Sequence, residues 1–143
     1  MKRFSALTLF ADAILTFGMS YGAMLCVITA FDIPCSAVIL ALCCAAFALV
    51  FTLLFLLCRA WLALMLSAPI LGVCLWYFWS DATGGLALAA NTIAPVYLNA
   101  FSIGQNYILL PQLAQGSDAT VFFCLLAMLV SILLCLTIVH TQS

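Results

Sequence analysis

The sequence predicts an all-α membrane protein: a polytopic helical bundle of four transmembrane helices plus an extracytoplasmic interfacial or re-entrant helical segment. Three observations carry that prediction. The chain is 69% hydrophobic and 5% charged, whereas a soluble domain carries about 25% charged residues. Six of its seven charged residues are sited at the ends of apolar runs, Asp12 being the exception: Lys2 and Arg3 before the first, Asp32 after it, Arg59 between the second and third, Asp81 after the third and Asp118 before the fourth. Those runs are long enough to cross about 30 Å of hydrocarbon at 1.5 Å per residue.

The 143 residues suit a single membrane domain. The first span covers about 4–31. It is too long for the apolar core of a signal peptide, and it contains Asp12, so it reads as a retained helix. Asp32-Ile33-Pro34 ends it, because proline biases the preceding residue away from helix and suits the start of the next one. The second span covers about 35–57 and the third about 61–79, with Arg59 in the turn between them. The third closes on Trp76-Tyr77-Phe78-Trp79, an aromatic cluster suited to the headgroup level. Pro69 inside it removes a helical hydrogen bond and predicts a bend. The fourth span covers about 119–139, with Ser117 or Asp118 as N-cap.

The segment 85–112 is too polar to span and too apolar for a free loop. Asn91, Thr92, Asn99, Ser102 and Asn106 project to one side of a helix and Leu86, Ile93, Tyr97 and Ala100 to the other. Two placements fit: a helix in the membrane interface, bent or restarted at Pro95, or a lid packed over the mouth of the bundle. A full fifth crossing would bring six polar side chains into hydrocarbon together.

Orientation follows from the basic residues, which favour the cytoplasmic side. Placing Lys2, Arg3 and Arg59 inside puts both termini in the cytoplasm and Asp32, Asp81 and Asp118 outside.

Composition also limits function. Three basic residues form no patch, which argues against nucleic acid as a partner. Eight cysteines include no CxxC pair, and the only histidine is His140, so no metal or cofactor is expected. Cysteine serves here as a small apolar residue, although Cys26 and Cys35 flank one turn and a disulfide between them stays open. No phosphate loop, paired carboxylates or nucleophile beside a histidine is present, so no catalytic residue is expected.

The residues that invite a functional reading lie in the first span. Asp12, with Thr16 on its face and Ser20 at the margin, makes a possible intramembrane polar site. A charge at the bilayer centre costs at least about 2.5–3.5 kcal/mol and is usually paired or functional. Asp12 reads either as a proton- or cation-binding carboxylate or as structural glue near the headgroups. Gly18 and Gly22 form a GxxxG that lets helix backbones approach closely. They fit packing against the alanine strip Ala37, Ala41, Ala45 and Ala48, or a dimer interface.

Arg59-Ala60-Trp61 at a cytoplasmic turn, followed by Gly84-Gly85-Leu86, Asn91-Thr92-Ile93 and Tyr97, resembles the N-terminal membrane region of bacterial transglutaminase-like membrane proteins. That resemblance implies a bacterial inner membrane location and an anchoring role. The family's catalytic domain has no counterpart in these residues, and none of its catalytic residues is carried over.

The expected function is therefore a non-enzymatic membrane anchor or interaction module. Its partners would be the lipid bilayer and either a second copy or another membrane protein. The alternative is a small proton-coupled transporter acting as a dimer with Asp12 as coupling carboxylate, since small multidrug transporters also have four spans and one acid in the first. A pore-forming or immunity-type protein is a third class, which no residue singles out.

Overall fold

The computed structural model describes residues 6–101 and 118–141. The described residues form five helices: α1 Ala6–Phe31, α2 Ala37–Leu57, α3 Ala60–Tyr77, α4 Trp79–Ala100 and α5 Thr120–Thr141. Four of them, α1, α2, α3 and α5, are long and apolar enough to cross a membrane. The protein is an all-helical, multi-pass membrane bundle.

The last helix is the hub. α5 packs against α1, α2, α3 and α4, while α3 has little contact with α2 or α4. Its inward residues explain the role. Ala127 and Ser131, with Ala119 just before the helix, are fully buried beside Phe123 and Met128. Small residues let neighbouring backbones approach, which is how helices associate where lipid is as apolar as leucine. Around this axis are two cores. One joins Met24, Ile28, Ile33, Leu40, Cys44, Ala89, Phe123 and Ala127. The other joins Phe51, Phe55, Ala63, Met128, Ile132 and Cys135.

The turn from α1 to α2 is set by local chemistry. Asp32 adopts a left-handed conformation, with φ 51°. Among non-glycine residues, aspartate and asparagine tolerate it best. The Ile33 N–H then donates to the Ile28 carbonyl at 3.1 Å. This is a Schellman stop, and its usual apolar contact is present because Ile28 and Ile33 share a core. The same turn is latched to the start of α5. The Ser36 N–H donates to Thr120 Oγ1 at 2.9 Å. Thr120 Oγ1 donates to Asp118 Oδ1 at 2.8 Å, and the same carboxylate oxygen accepts the Thr120 N–H at 3.0 Å. Asp118 is thus a side-chain cap of α5. Burial pushes the neighbouring Cys35 thiol above its ordinary pKa, against the opposing effect of a hydrogen bond with Thr120, and the Asp118 charge adds to the rise.

Helix α4 differs from its expectation in extent and continuity. It begins at Trp79, six residues before the expected start, and runs unbroken through Pro95 to Ala100. Proline removes one hydrogen bond, and neighbouring helices can compensate for that in a membrane protein. Residues 102–112 of the expected segment lie outside the described residues. Two contacts show how α4 is placed. Gly85 sits against Ala119 and Phe122, and the Tyr97 ring lies 6.3 Å from Phe31. Phe31 and Ala119 belong to the same end of the bundle, because the Ala119 N–H approaches the Pro34 carbonyl at 3.4 Å. Gly85 and Tyr97 are about 18 Å apart along a helix. A helix with both points at one end lies across that end and does not traverse the bundle.

Helix α3 likewise continues through Pro69. Ser67, two residues earlier, is buried and donates to the Leu64 carbonyl at 3.0 Å.

Candidate intramembrane polar site

The inward face of α1 reads Ala13, Thr16, Ser20, Met24 and Ile28. Spacings of three and four place these residues on one stripe. Thr16 and Ser20 are both fully buried, so each hydroxyl must be satisfied inside the bundle. Thr16 donates to the backbone carbonyl of Asp12 at 2.8 Å. Ser20 donates to the carbonyl of Phe17 at 3.2 Å.

The structure brings Asp12 and Thr16 together with residues of two other helices. A small cavity of about 10 Å³ is lined by Asp12 and Thr16 from α1, Thr52, Phe55 and Leu56 from α2, and Cys135 and Ile138 from α5. Space of that size holds about one water-sized sphere. Cys135 Sγ lies 3.9 Å from Thr16 Oγ1 and 3.8 Å from Thr52 Oγ1. The Asp12 carboxylate is close enough to act electrostatically on that thiol.

The direction of the hydrogen bonds can be worked out. The Thr16 proton is committed to the Asp12 carbonyl, so towards Cys135 its oxygen accepts the S–H. The sulfur then accepts the O–H of Thr52. This gives one oriented chain from Thr52 through Cys135 and Thr16 to the α1 backbone, joining three helices. Both hydroxyl oxygens keep acceptor capacity. Thr52 is unusual for a mid-helix threonine here. Thr16, Thr29, Thr92 and Thr137 each donate to a carbonyl of their own helix, whereas Thr52 makes its hydrogen bond across to α5.

Ser20 lies about one turn away from this group and faces α2 at Cys44. It belongs to the helix seam and does not line the cavity. Thr52 and Cys135 are the members that sequence reasoning missed. The available signal was Thr52, the one hydroxyl within α2. An isolated hydroxyl in an otherwise apolar span can hydrogen-bond across to another helix. Ser131, one turn from Cys135 on α5, is fully buried, and its hydroxyl has no hydrogen-bond partner among the described residues.

The glycine pair is placed differently from one of its expected roles. A Cβ added at Gly18 or Gly22 would meet nothing within 4 Å. The pair does not form the α1–α2 contact. That seam runs instead between Thr16, Ser20 and Met24 on α1 and Leu40, Cys44 and Ala48 on α2. Of the expected alanine strip, only Ala48 is buried, and Ala37 is exposed. The physical reason is register: the buried stripe of α1 is the polar one, because hydroxyls in lipid need partners more than glycines need neighbours.

All eight cysteines are free, Cys26 and Cys35 included. Among the described residues no group of three His, Cys, Asp or Glu is placed to hold a metal ion. No family model, curated protein or solved structure matches the chain.

Proposed function

We propose that the protein is a non-enzymatic membrane module that anchors or assembles membrane proteins through the outward face of α1. The observation that supports this reading is the open glycine pair. Gly18 and Gly22 lie on a face with Ala11, Ile14 and Leu15, and Gly18 and those three residues are exposed. Two glycines four residues apart let a second helix approach closely, and the flanking large side chains pack beside it. The resemblance to the membrane region of transglutaminase-like proteins agrees with an anchoring role. The partner is a second copy or another membrane helix.

Gly18→Ile combined with Gly22→Ile is expected to abolish association. The monomer is expected to keep its stability, because a Cβ at either position meets nothing within 4 Å. Energy transfer between labelled copies in bilayers and affinity capture from membranes measure the two kinds of partner. Unchanged association by both would reject the α1 face as the docking surface.

The cavity at Asp12 favours a second reading, a small proton-coupled transporter acting as a dimer with Asp12 as coupling carboxylate. A flux in proteoliposomes that disappears with Asp12→Asn separates this reading from the first.

We further propose a cell-membrane orientation with both termini cytoplasmic and α4 on the outer face. Lys2, Arg3 and Arg59 support it through the inward preference of basic residues. In a cysteine-free background, a cysteine at Asp32 is expected to react with an impermeant thiol reagent added outside, and one at Thr141 is not. The opposite pattern would invert the orientation.

A further inference from the structure

We propose that a groove between α1, α4 and α5 is a binding site for one acyl chain of a phospholipid, drawn from the leaflet on the side of the Asp32 turn. The groove holds about 410 Å³, within the range of ligand sites, about 300–1,000 Å³. Nine described residues line it, all aliphatic or aromatic, and α4 supplies five of them. Its floor includes Ala89 and Phe123, both buried, and its rim includes Val27 and Leu86, both exposed. That lining decides the occupant by exclusion. Water needs two to four polar partners, and a headgroup needs as many or more. None is offered here. An empty space is excluded by packing, since apolar cavities of about 150 Å³ already take up small apolar molecules. A second copy or another protein is excluded by size. A stable protein interface needs about 20–30 residues a side, and the groove presents nine. A hydrocarbon chain meets all three conditions, and the bilayer supplies it. The exposed rim opens sideways to lipid. Val27 lies four residues before the end of α1, about 6 Å along the helix. That depth falls within the nearer half of about 30 Å of hydrocarbon, so chains of that leaflet reach the groove. Because α4 lies across this end of the bundle, a chain in the groove is covered by protein. A chain against the open surface of α3, where Val73 is exposed, is not.

This inference rests on neither functional reading, only on the multi-pass fold. The full chain in detergent micelles is titrated with phosphatidylcholine carrying a diazirine in one acyl chain, irradiated, and mapped by mass spectrometry. The expected result is labelling of α4 and α5 at the groove that saturates and is competed by unlabelled phosphatidylcholine. Labelling at Val73 is expected to rise in proportion to the probe. Ala90→Phe combined with Ala94→Phe fills the groove, and labelling of α4 and α5 is expected to fall to the level at Val73. Val73→Phe is expected to leave the groove labelled as in wild type. Where the double variant fails to fold, Ala94→Leu carries the test with a partial loss. Groove labelling that never saturates would overturn the site, as would labelling that survives the filled groove. Absence of labelling in wild type, as when residues 102–117 close the groove, would overturn it too. So would competition by free fatty acid but not by phosphatidylcholine, or two copies of the chain cross-linked through the groove.

Discussion

Gly85→Leu is expected to dislodge α4 from the bundle while leaving the four spanning helices in place. A Cβ at Gly85 would lie 2.9 Å from Phe122 Cβ, 3.2 Å from the Ala119 Cα and 3.2 Å from the Asp118 carbonyl oxygen. Two of those three atoms are backbone, so no rotamer change relieves the overlap. The helices must move apart, and Ala82 and Ala89, which are buried on either side of Gly85 on α4, lose their contacts with them. Overpacking of a tight site costs about 1–3 kcal/mol, and leucine falls at the upper end. Gly85→Ala is expected to do the same to a smaller degree. Gly72→Ala on α3 is the control: nothing lies within 4 Å of the added atom, and alanine has the higher helix propensity. Spin labels at Asp81 on α4 and Leu129 on α5, both exposed, report the separation. A longer or broader distance distribution in Gly85→Leu alone is the expected result. Identical distributions in wild type and variant would mean that α4 does not pack through this glycine.

The same residues show what a sequence can say about such a fold. The four spans were legible because hydrocarbon imposes a length and a composition on each crossing. The end of α1 was legible for a local reason, the turn chemistry of Asp32 and Pro34. The placement of Asp118 at the start of α5 was legible for the same kind of reason. The inward faces were harder to read. In α2 nearly every residue is apolar, so periodicity cannot distinguish the side that meets lipid from the side that meets protein. The alanine strip therefore pointed about one position away from the true seam. The glycine pair misled in a related way. GxxxG states that a close approach is possible and does not say which helix makes it. On α1 the hydroxyls were the better guide. Thr16 and Ser20 are fully buried, while the glycines face outwards. The cavity was half legible: Asp12 and Thr16 lie four residues apart on one helix, whereas Thr52 and Cys135 reach them only through tertiary packing. The last helix gave no sign of its central role. Its contacts with all the others arise from the arrangement of the bundle and from no motif within it.

Phe51→Ala is expected to lower stability by roughly 1–3 kcal/mol, with Phe10→Ala close to neutral. The two residues are alike in chemistry and differ in surroundings. Phe51 is 1% exposed, in a core with Phe55, Ala63, Met128 and Ile132, whereas Phe10 is 62% exposed on the outer side of α1. In a water-soluble protein a buried Phe→Ala change costs about 3–5 kcal/mol, part of it transfer from water and part cavity formation. Here the transfer part is largely absent. The unfolded reference state remains in the bilayer, where lipid solvates the ring as well as protein does. What remains is lost dispersion contact at a close-packed site, which is why the expected value is lower. For Phe10 both states face lipid, so the change has little to act on. Steric-trapping or detergent-titration unfolding in bilayer mimetics measures the difference. Equal losses for the two variants would mean that burial within the bundle does not determine stability here, and would place Phe51 at a lipid-facing position.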